Sequence, residues 1–424
     1  MKVLSLFDGM SCGMLAFQRA DVLMDRYVAY EIDKYAIQVS TYNFPMIEQR
    51  GDVFKADFTE FEGFDAVVGG SPCTYWSIAQ TKNRETEAHG IGWELFQQYV
   101  RAIREAKPKF FIYENNKSMA QAIKEEISNT FGFEPIMINS ALVSAQNRQR
   151  YYWVGIRQED GTYRKANIEQ PIDRGIVLRD VLDDYQRGHA QMVAEPVNVT
   201  SDGKTHTLKA QYYKNGIANF VTNGGFGATG VAEPVAGRIV GRRINEDGHR
   251  DDYNEGLEHI QRYEVNENPQ KTNCLTTVQK DNMIAEPIGA VGNMYGKGQN
   301  GQLYGLNSKT KTLSAGTGQT GNGIGSNNSP KAILPYPEYN GNPIYEVKDG
   351  HITIKGKSYP IKLADGFYVI RKLTVSECKR LQTVPEDYDM SVISNTQAYK
   401  CLGNGWTVDV IAHLVEGVMK ELEE

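Results

Sequence analysis

The first part of the chain alternates short apolar runs with longer segments whose apolar residues recur every three or four positions. Short apolar runs bounded by glycine or charged residues predict strands, and the longer periodic segments predict helices. This alternation favours a mostly parallel sheet with helices on both faces. The predicted strands are residues 3–7, 27–32, 65–68, 110–113 and 151–156, and the predicted helices are residues 14–20, 93–105 and 119–131.

The pattern changes in the middle of the chain. Between about residues 185 and 335, glycine, asparagine and threonine become frequent and helical periodicity disappears. The tripeptides Glu195-Pro196-Val197, Glu233-Pro234-Val235 and Glu286-Pro287-Ile288 recur at unequal spacing. Because a solenoid needs a fixed period, the segment predicts short β-units joined by variable loops instead.

Helical periodicity returns towards the C-terminus. Thr374 and Glu377 have the spacing of a capping box, and residues 407–422 have an amphipathic helical pattern. We therefore predict an α/β domain over residues 1–184, an inserted irregular β-rich domain over residues 185–365, and a return to the first domain over residues 366–424.

Composition narrows the class of protein. The chain has 424 residues, of which 40% are hydrophobic, and no apolar run approaches the roughly 18 residues that a membrane span requires. The five cysteines are scattered without metal-ligand spacing, which predicts reduced thiols, no metal site and a cytoplasmic protein. The net charge of −6 means that a nucleic-acid partner would need a local basic surface.

The most informative motif follows the strand predicted over residues 65–68. The run Gly69-Gly70-Ser71-Pro72-Cys73 carries a thiol on a loop stiffened by proline. It lies at a strand end, where α/β folds carry their chemistry. A single cysteine of this kind is more often a small buried residue than a nucleophile. Cys73 is therefore a candidate nucleophile whose role depends on its surroundings.

A second candidate site follows the first predicted strand. The loop from Asp8 and Gly9 to Gly13 lacks the dinucleotide fingerprint and the lysine of a phosphate loop. Glu31 ends the second predicted strand, where a carboxylate can bind ribose hydroxyls, and Asp52 can accept a hydrogen bond from an adenine amino group. The set suits a nucleoside cofactor without phosphates, such as S-adenosylmethionine, although an ordinary strand-to-helix turn explains the loop equally well.

Taken in chain order, these motifs resemble those of the DNA cytosine-5 methyltransferase family. Ser5-Leu6-Phe7-Asp8-Gly9 is similar to the family's cofactor loop, and Gly70-Ser71-Pro72-Cys73 is similar to its nucleophile loop. The similarity covers roughly residues 1–182 and 371–424. Further motifs that match in order are Glu114-Asn115-Asn116, Gln146-Asn147-Arg148-Gln149-Arg150, Arg371-Lys372-Leu373-Thr374 and Leu402-Gly403-Asn404-Gly405.

The resemblance implies a Rossmann-like methyltransferase fold that uses S-adenosylmethionine. It implies methyl transfer to carbon 5 of a cytosine flipped out of a specific duplex DNA sequence, through a covalent adduct between Cys73 and carbon 6. Glu114 would bind N3 of the base, and Arg148 and Arg150 would bind its carbonyl or a flanking phosphate. The implied cofactor-binding residues are Phe7, Asp8, Gly9, Gly13, Glu31, Ile32, Asp52, Val53, Pro72, Leu95 and Asn404.

The inserted domain is the expected DNA reader. Its densest basic cluster contains Arg238, Arg242, Arg243, His249 and Arg250, and Ser77 follows the nucleophile loop as a further expected DNA contact. Arginine can bind phosphates and guanine edges, but a solvated charged face explains each of these residues singly as well. The resemblance further implies a monomer that binds double-stranded DNA in a bacterial or phage-infected cell, without a membrane, and it admits a restriction endonuclease as a partner.

The sequence departs from the family pattern at three places. Asn116 replaces the usual apolar residue after the Glu-Asn pair. Trp406 follows Asn404 and Gly405 where the family has Asn-Ser-Val, so a large ring lies close to the expected cofactor pocket. His89 lies in a loop that lacks the family's Asp-Ser-Arg string, so the loop contacts that close over DNA are not carried over.

Three other functions are compatible with parts of the sequence. RNA cytosine methylation would use the same fold, but the long middle region favours a sequence-reading DNA enzyme. An inactive DNA-binding regulator would not need to retain Cys73 and Glu114. A cysteine hydrolase would need a histidine base, and only His89 lies close to Cys73 in the sequence.

Overall fold

The structure is a computed structural model. The chain divides into two compact units, of which the first comprises Met1–Val177, Asn273–Gln279 and Thr374–Glu424, and the second Leu178–Thr272 and Lys280–Leu373. The residues that the structure describes are 1–77, 84–183, 235–243, 251–252, 254, 256–257, 259–268, 270–275, 283–288, 290–293, 302–304, 338–339, 342–354, 357–361, 363 and 366–423.

A mixed sheet forms the centre of the first unit. Its strands, with one short strand, β7, that lies outside the sheet, are β1 (Lys2–Leu6), β2 (Arg26–Tyr30), β3 (Glu48–Gln49), β4 (Ala66–Gly69), β5 (Phe110–Asn116), β6 (Ile136–Asn139), β7 (Gln146–Asn147), β8 (Gln149–Arg157) and β9 (Tyr163–Lys165). The strand order is β3-β2-β1-β4-β5-β8-β6, with β9 beside β8. The first five strands of this order are parallel, and β8 runs antiparallel to β5, β6 and β9. The predicted α/β sheet is confirmed.

The order of the strands determines where a ligand can bind. From β1 the chain passes to β2 on one side, and it later returns to β4 on the other, where Leu6 pairs with Gly69. A crevice opens at the carboxyl ends of the strands where the order reverses in this way. The next strand continues the same edge, because Gly69 pairs with Tyr113 of β5. The loops after β1, β4 and β5 therefore meet at one edge of the sheet.

Helices pack against this sheet. A buried core of Leu4, Val28, Val67 and Phe111 covers its centre, and each fully buried side chain of this size contributes about 1.5–3 kcal/mol. The predicted capping box at Thr374 and Glu377 is confirmed, and α7 packs against α1. The helices are α1 (Cys12–Arg19), α2 (Lys34–Asn43), α3 (Ile91–Ala106), α4 (Gln121–Phe131), α5 (Val375–Leu381), α6 (Asn395–Asn404) and α7 (Val408–Glu423).

The second unit is built on an antiparallel sheet. Its strands, with β12 at the boundary between the units, are β10 (Val235–Arg243), β11 (His259–Val265), β12 (Thr272–Asn273), β13 (Met283–Ile288), β14 (Ala290–Asn293), β15 (Gln302–Tyr304), β16 (Glu338–Tyr339), β17 (Asn342–Lys348), β18 (His351–Ile354), β19 (Lys357–Pro360) and β20 (Gly366–Lys372). The order is β11-β10-β13-β20-β17-β18-β19, with β16 beside β17 and a separate β14-β15 pair. The predicted β-rich region is confirmed as part of the fold class, whereas the domain boundaries stay a prediction.

One of the recurring tripeptides and the last residue of another lie in this sheet. Glu286-Pro287-Ile288 ends β13, and Val235, the last residue of the second tripeptide, begins β10. These two strands pair antiparallel, with Val235 opposite Ala285. The first tripeptide lies outside the described residues. The core of the sheet contains Tyr263, Met283, Ala285, Val347, Ile352, Ile361 and Tyr368.

Candidate active site at the carboxyl ends of the strands

The loop after β1 is built around a buried carboxylate. Asp8 Oδ1 accepts hydrogen bonds from Ser5 Oγ at 2.6 Å and Tyr27 OH at 2.7 Å, and Asp8 Oδ2 accepts one from Ser11 Oγ. Burial raises the pKa of the Asp8 carboxyl, although the three hydroxyls oppose that shift. The non-glycine residues Phe7 and Ser11 have φ values of 57° and 61°, a conformation that persists only where surrounding contacts hold it. Asp8 therefore holds the loop in shape, rather than directing its carboxylate outwards to a ligand.

Glu31 ties the end of β2 to the same loop. Its Oε2 accepts a hydrogen bond from the Gly9 backbone N–H at 2.8 Å, and its Oε1 accepts from the N–H groups of Ile32 and Asp33, each at 2.8 Å. Next to it, the Ile32 side chain is 77% exposed, which is unusual for a large aliphatic residue at the end of a core strand. The edge thus offers a fixed carboxylate beside an uncovered apolar surface.

The other predicted cofactor residues have different environments. Asp52 Oδ1 caps the single 3-10 turn Val53–Lys55 by accepting from the Phe54 N–H at 3.0 Å. At Gly13, an added Cβ would lie 2.6 Å from Tyr27 OH and 3.6 Å from the Trp406 ring, so a larger residue would displace the hydroxyl that donates to Asp8. Val53 is buried, Pro72 and Asn404 are exposed, and Leu95 packs partly buried at the edge of the core.

A buried polar cluster connects the nucleophile loop to β5. Cys73 begins the 3-10 turn Cys73–Tyr75, whose first carbonyl accepts from the Ser77 N–H at 2.9 Å. Just before it, the buried Ser71 exchanges a hydrogen bond with Tyr113 OH at 2.6 Å, and Asn115 Nδ2 donates to the Ser71 carbonyl at 3.1 Å. Because buried hydrogen bonds are costly to break, the thiol is held at a fixed position beside β5.

Gly70 allows the nucleophile loop to pass close to Glu114. A Cβ at this position would lie 2.5 Å from the Glu114 carbonyl oxygen and 2.9 Å from its Oε2. The first of these atoms belongs to the backbone of a central strand and cannot easily move. Glycine is therefore required here by close approach and not by its φ angle.

We expect Gly70→Ala to lower the free energy of unfolding by about 1–3 kcal/mol, the usual cost of forcing a methyl group into a packed site. Chemical denaturation monitored by circular dichroism measures this. The matched control is Thr74→Ala, which removes an exposed side chain from the same loop and is expected to change stability by less than about 0.5 kcal/mol. Wild-type stability of Gly70→Ala would contradict the close approach.

Two donors hold the Glu114 carboxylate from two sides. Arg150 Nε lies 2.9 Å from Oε1, and Trp406 Nε1 donates to Oε2 at 3.1 Å. The side chains of Glu114 and Arg150 are 12% and 11% exposed, so this ion pair is shielded from solvent. Breaking a shielded pair by removing one partner leaves an uncompensated charge, at a cost of about 3–5 kcal/mol. Trp406, which departs from the family pattern, thus contacts the predicted catalytic residue Glu114.

The Cys73 thiol lies in the electrostatic field of this pair. Burial raises the pKa of Cys73, the guanidinium of Arg150 opposes that shift, and Glu114 adds to it. The net direction is upward, so the thiol form dominates at neutral pH in the protein alone.

Arg148 and Arg150 have different partners, although the sequence predicts the same role for both. The buried Arg148 guanidinium donates to the carbonyls of Gly403 at 3.2 Å and Gly405 at 2.8 Å, and to the sulfur of Cys274 at 3.0 Å. Arg148 therefore holds the loop that follows α6, whereas Arg150 faces Glu114.

The predicted DNA-binding arginines lie on β10 of the second unit. Arg242 forms a bidentate ion pair with Glu264, at 2.9 and 3.1 Å, and is 15% exposed. Arg243 donates to the Asp252 carbonyl at 2.9 Å. Arg238 is 45% exposed and lies 3.5 Å from Glu264. Arg242 and Arg243 therefore stabilise this unit through internal contacts, and Arg238 is the most exposed of the three. His249 and Arg250 lie outside the described residues.

The sequence does not predict the contacts that two residues of the site make. Trp406 was identified only as a departure from the family pattern, and its bond to Glu114 spans 292 positions. The sequence predicts Cys274 only as one of five scattered reduced thiols, yet it contacts Arg148 across 126 positions. No local pattern signals a contact of that range. Among the described residues, no group of three or more histidine, cysteine and acidic side chains could hold a metal ion.

The fold and the site together define an α/β enzyme with a thiol, a carboxylate and a guanidinium at the carboxyl edge of its sheet. Over residues 1–420 the chain matches the family model for C-5 cytosine-specific DNA methylase, and it belongs to that family. It is a member of a family of DNA methyltransferases. None of the helices in the described parts of the chain is long and apolar enough to cross a membrane.

The chain is also similar to individual methyltransferases. The chain is 26% identical to the orphan methyltransferase M.SPRI of Bacillus phage SPR, with 100% of this chain and 97% of the relative aligned. It is 30% identical to the type II methyltransferase M1.ScrFI of Lactococcus lactis subsp. cremoris over 51% of this chain and 62% of the relative. A solved Entamoeba histolytica methyltransferase, EhMeth, aligns over 100% of this chain and 99% of its own, at 13% identity with a TM-score of 0.49.

Proposed function

We propose that the chain is a DNA (cytosine-5-)-methyltransferase that uses S-adenosylmethionine and forms a covalent adduct between Cys73 and the target base. The observation that carries the proposal is the arrangement of Cys73, Glu114 and Arg150 at neighbouring strand ends. Arg150 Nε lies 2.9 Å from Glu114 Oε1, and both residues act on the pKa of Cys73. Membership of the family supports it.

The residues at the end of β1 and β2 fit an adenosyl cofactor. Glu31 is a fixed carboxylate of the kind that binds ribose hydroxyls, and the exposed Ile32 beside it offers an apolar surface to a purine ring. Asp52 uses Oδ1 as a cap, and Oδ2 would accept from an adenine amino group. Because Gly13 has no side chain, the start of α1 lies close to Tyr27 OH and the Trp406 ring. When bound, S-adenosylmethionine supplies a methyl group activated on a sulfonium.

The chain's own residues would activate the base. Cys73 would lose its thiol proton to water and add to carbon 6 as a thiolate, so that the electron pair of the 5,6 double bond moves to carbon 5. Carbon 5 would then take the methyl group as the bond between that group and the sulfonium breaks. Glu114 stabilises the adduct through a hydrogen bond to N3, with a proton shared between the carboxyl and the ring. Carbon 5 would then lose its proton to water, the 5,6 double bond would re-form, and the bond between carbon 6 and Cys73 would break to release the thiolate.

Arg150 and Trp406 fix the direction of Glu114 during these steps. Each carboxylate oxygen accepts from one of them, so neither oxygen can rotate away when a base enters. The target carbon is inaccessible inside a duplex, so the base must be flipped out of the helix to reach this edge. Catalytic pre-organisation of this kind lowers the reorganisation needed in the transition state.

The second unit is proposed to read the DNA sequence. Arg238 is the described residue that best suits a phosphate or guanine contact, because its side chain is about half exposed. Arg242 would first have to exchange its ion pair with Glu264. Ser77 remains a proposed DNA contact beside the nucleophile loop. The monomeric state, the cytoplasmic location and a restriction endonuclease partner stay predictions.

Transfer of a labelled methyl group tests the function directly. Purified protein is incubated with radiolabelled S-adenosylmethionine and either mixed-sequence duplex DNA or total transfer RNA. We expect label in DNA, at carbon 5 of cytosines within one short sequence, when the product is sequenced. Label confined to RNA would support RNA methylation instead, and no transfer to either would contradict the proposal.

Trp406→Phe tests whether the hydrogen bond from the indole N–H orients the Glu114 carboxylate. Phenylalanine keeps an aromatic ring but cannot donate to Oε2, and a hydrogen bond to a charged group contributes about 1.5–3 kcal/mol. We expect kcat to fall about 10- to 100-fold, as measured by initial rates of labelled methyl transfer. The matched control is Trp93→Phe on α3, which packs against Phe96. Equal kcat values for the two variants would count against a role for the indole N–H.

A further inference from the structure

A second sulfur lies beside the proposed active site. Cys274 belongs to the short segment that the first unit includes from the middle of the chain. Arg148 Nη1 donates to its Sγ at 3.0 Å, and Arg150 Nη2 donates to it at 3.3 Å. Cys274 thus contacts the guanidinium that binds Glu114 and the guanidinium that holds the loop after α6.

The donors in these two hydrogen bonds are the arginines, so the sulfur is the acceptor. A guanidinium donates hydrogen bonds and accepts none, so the sulfur accepts from both arginines. An anionic sulfur accepts such bonds much more strongly than a thiol does. As a thiol, Cys274 would accept these bonds more weakly and would also donate its S–H to the Leu275 carbonyl at 3.4 Å, an oxygen to which Arg148 also donates at 3.4 Å.

The charges around the sulfur favour the anion. Arg148 and Arg150 bring two positive charges, and Glu114 supplies one negative charge through Arg150. A thiolate at Cys274 would be the second anion in this shielded cluster. Burial raises the pKa of Cys274, but the two arginines more than offset burial, so its pKa lies below the ordinary value. The other titratable groups that face it, Cys73 and Tyr152, both have raised pKa values.

We propose that Cys274 is a positioning residue, whose sulfur binds both guanidiniums and so keeps Arg150 directed at Glu114. Besides Glu114, the Arg150 guanidinium contacts the Gln149 carbonyl through Nη1 at 2.9 Å and the Cys274 sulfur through Nη2. Without the sulfur, only the Gln149 carbonyl would orient the guanidinium plane against the carboxylate. The catalytic consequence rests on the proposed function. The state of the sulfur itself does not, and it can be measured on protein that transfers no methyl group.

Thiolate absorbance in the ultraviolet gives the first measurement. Cys73→Ser protein is titrated with pH beside a Cys73→Ser, Cys274→Ser double variant, so that the difference reports Cys274 alone. We expect the thiolate absorbance of the single variant to appear at a lower pH than that of a free cysteine, and we expect no such absorbance in the double variant. Absorbance that appears only above pH about 8.5, the ordinary pKa of a free cysteine, would overturn the proposal.

The titration keeps its meaning if the double variant fails to fold, as judged by circular dichroism. Burial raises the pKa values of Cys12 and Cys401 to about 12, and Cys378 is also buried. The Cys73→Ser protein alone would then decide the result, because Cys274 is the thiol that two guanidiniums contact and whose pKa is lowered.

Turnover gives the second measurement. We expect Cys274→Ala to lower kcat about tenfold while the KM for S-adenosylmethionine stays unchanged, because Arg150 acts on the base and not on the cofactor. The control is Cys378→Ala, which removes a buried sulfur from α5. A kcat equal to that of the control, or an equal rise in KM, would overturn the positioning role. Absence of activity in the wild type would instead refute the proposed function and leave the thiolate result standing.

Discussion

Cys73→Ser is expected to abolish methyl transfer, with a loss of more than about a thousandfold in kcat. A serine hydroxyl is almost never ionised near neutral pH, so it cannot add to carbon 6 as a thiolate does. The substitution is small, and the hydrogen bonds that hold the loop come from Ser71, Tyr113 and Asn115. The fold and the affinity for DNA should therefore change little. Labelled methyl transfer and a filter-binding assay with the same duplex measure the two properties.

A trapping experiment tests the same residue from the other direction. Fluorine at carbon 5 of the target cytosine cannot leave as a proton does, so the adduct is expected to persist. Wild-type protein should form a complex with such DNA that survives denaturing electrophoresis, and peptide mapping should locate the bond at Cys73. Cys401→Ser, which changes a buried thiol on α6, serves as the control and should still form the complex. Normal turnover by Cys73→Ser, or an adduct at another cysteine, would refute the assignment.

The elements that the sequence predicted correctly are those with several buried apolar positions. Strands β1, β4 and β5 are almost entirely buried, and so their apolar runs are evident in the sequence. Helix α2 was missed because only Ala36, Val39 and Ser40 of its ten residues are buried, which is too few to produce a periodic pattern. Strand β6 was missed for a similar reason, since only Ile136 and Ile138 face the core.

Other features of the fold have no signature in a single sequence. Strand β8 is antiparallel to β5, but an apolar strand has the same pattern in either direction. Its position between β5 and β6 depends on where the chain crosses over, which hydrophobic patterning does not encode. The regularity of the antiparallel sheet in the second unit was also not evident from a glycine-rich segment whose repeats have unequal spacing.

The sequence predicts those residues of the candidate site that a local motif identifies. Cys73 lies on the loop after one predicted strand and Glu114 directly follows another, and parallel strands bring their carboxyl ends to one edge. The residues that orient them were not predicted as such. Arg148 binds backbone carbonyls of a loop that lies 255 and 257 positions away, and Arg242 pairs with Glu264 across two strands. Sequence motifs identify residue types that suit a chemistry, whereas the partners of a buried guanidinium follow from packing.

Glu114→Gln is expected to lower kcat by about 100- to 10,000-fold, the usual contribution of a positioned acid or base. Glutamine keeps the shape of the side chain and can still accept from Arg150 or Trp406 through its carbonyl oxygen. It cannot share a proton with N3 of the base, and it leaves Arg150 without its negative partner. The loss should therefore appear in kcat more than in the KM for DNA, because the shared proton matters most in the adduct.

Comparison with Glu94→Gln on α3 separates this effect from general loss of negative charge. Glu94 lies in the first turn of that helix, and its substitution is expected to leave kcat within about twofold of the wild type, as surface changes usually do. The Glu114→Gln protein should also form the adduct with fluorinated DNA much more slowly than the wild type, since addition of the thiolate itself needs N3 to be bound. Adduct formation at the wild-type rate would mean that Glu114 acts after the thiolate has added, and that the addition step depends on Arg150 alone.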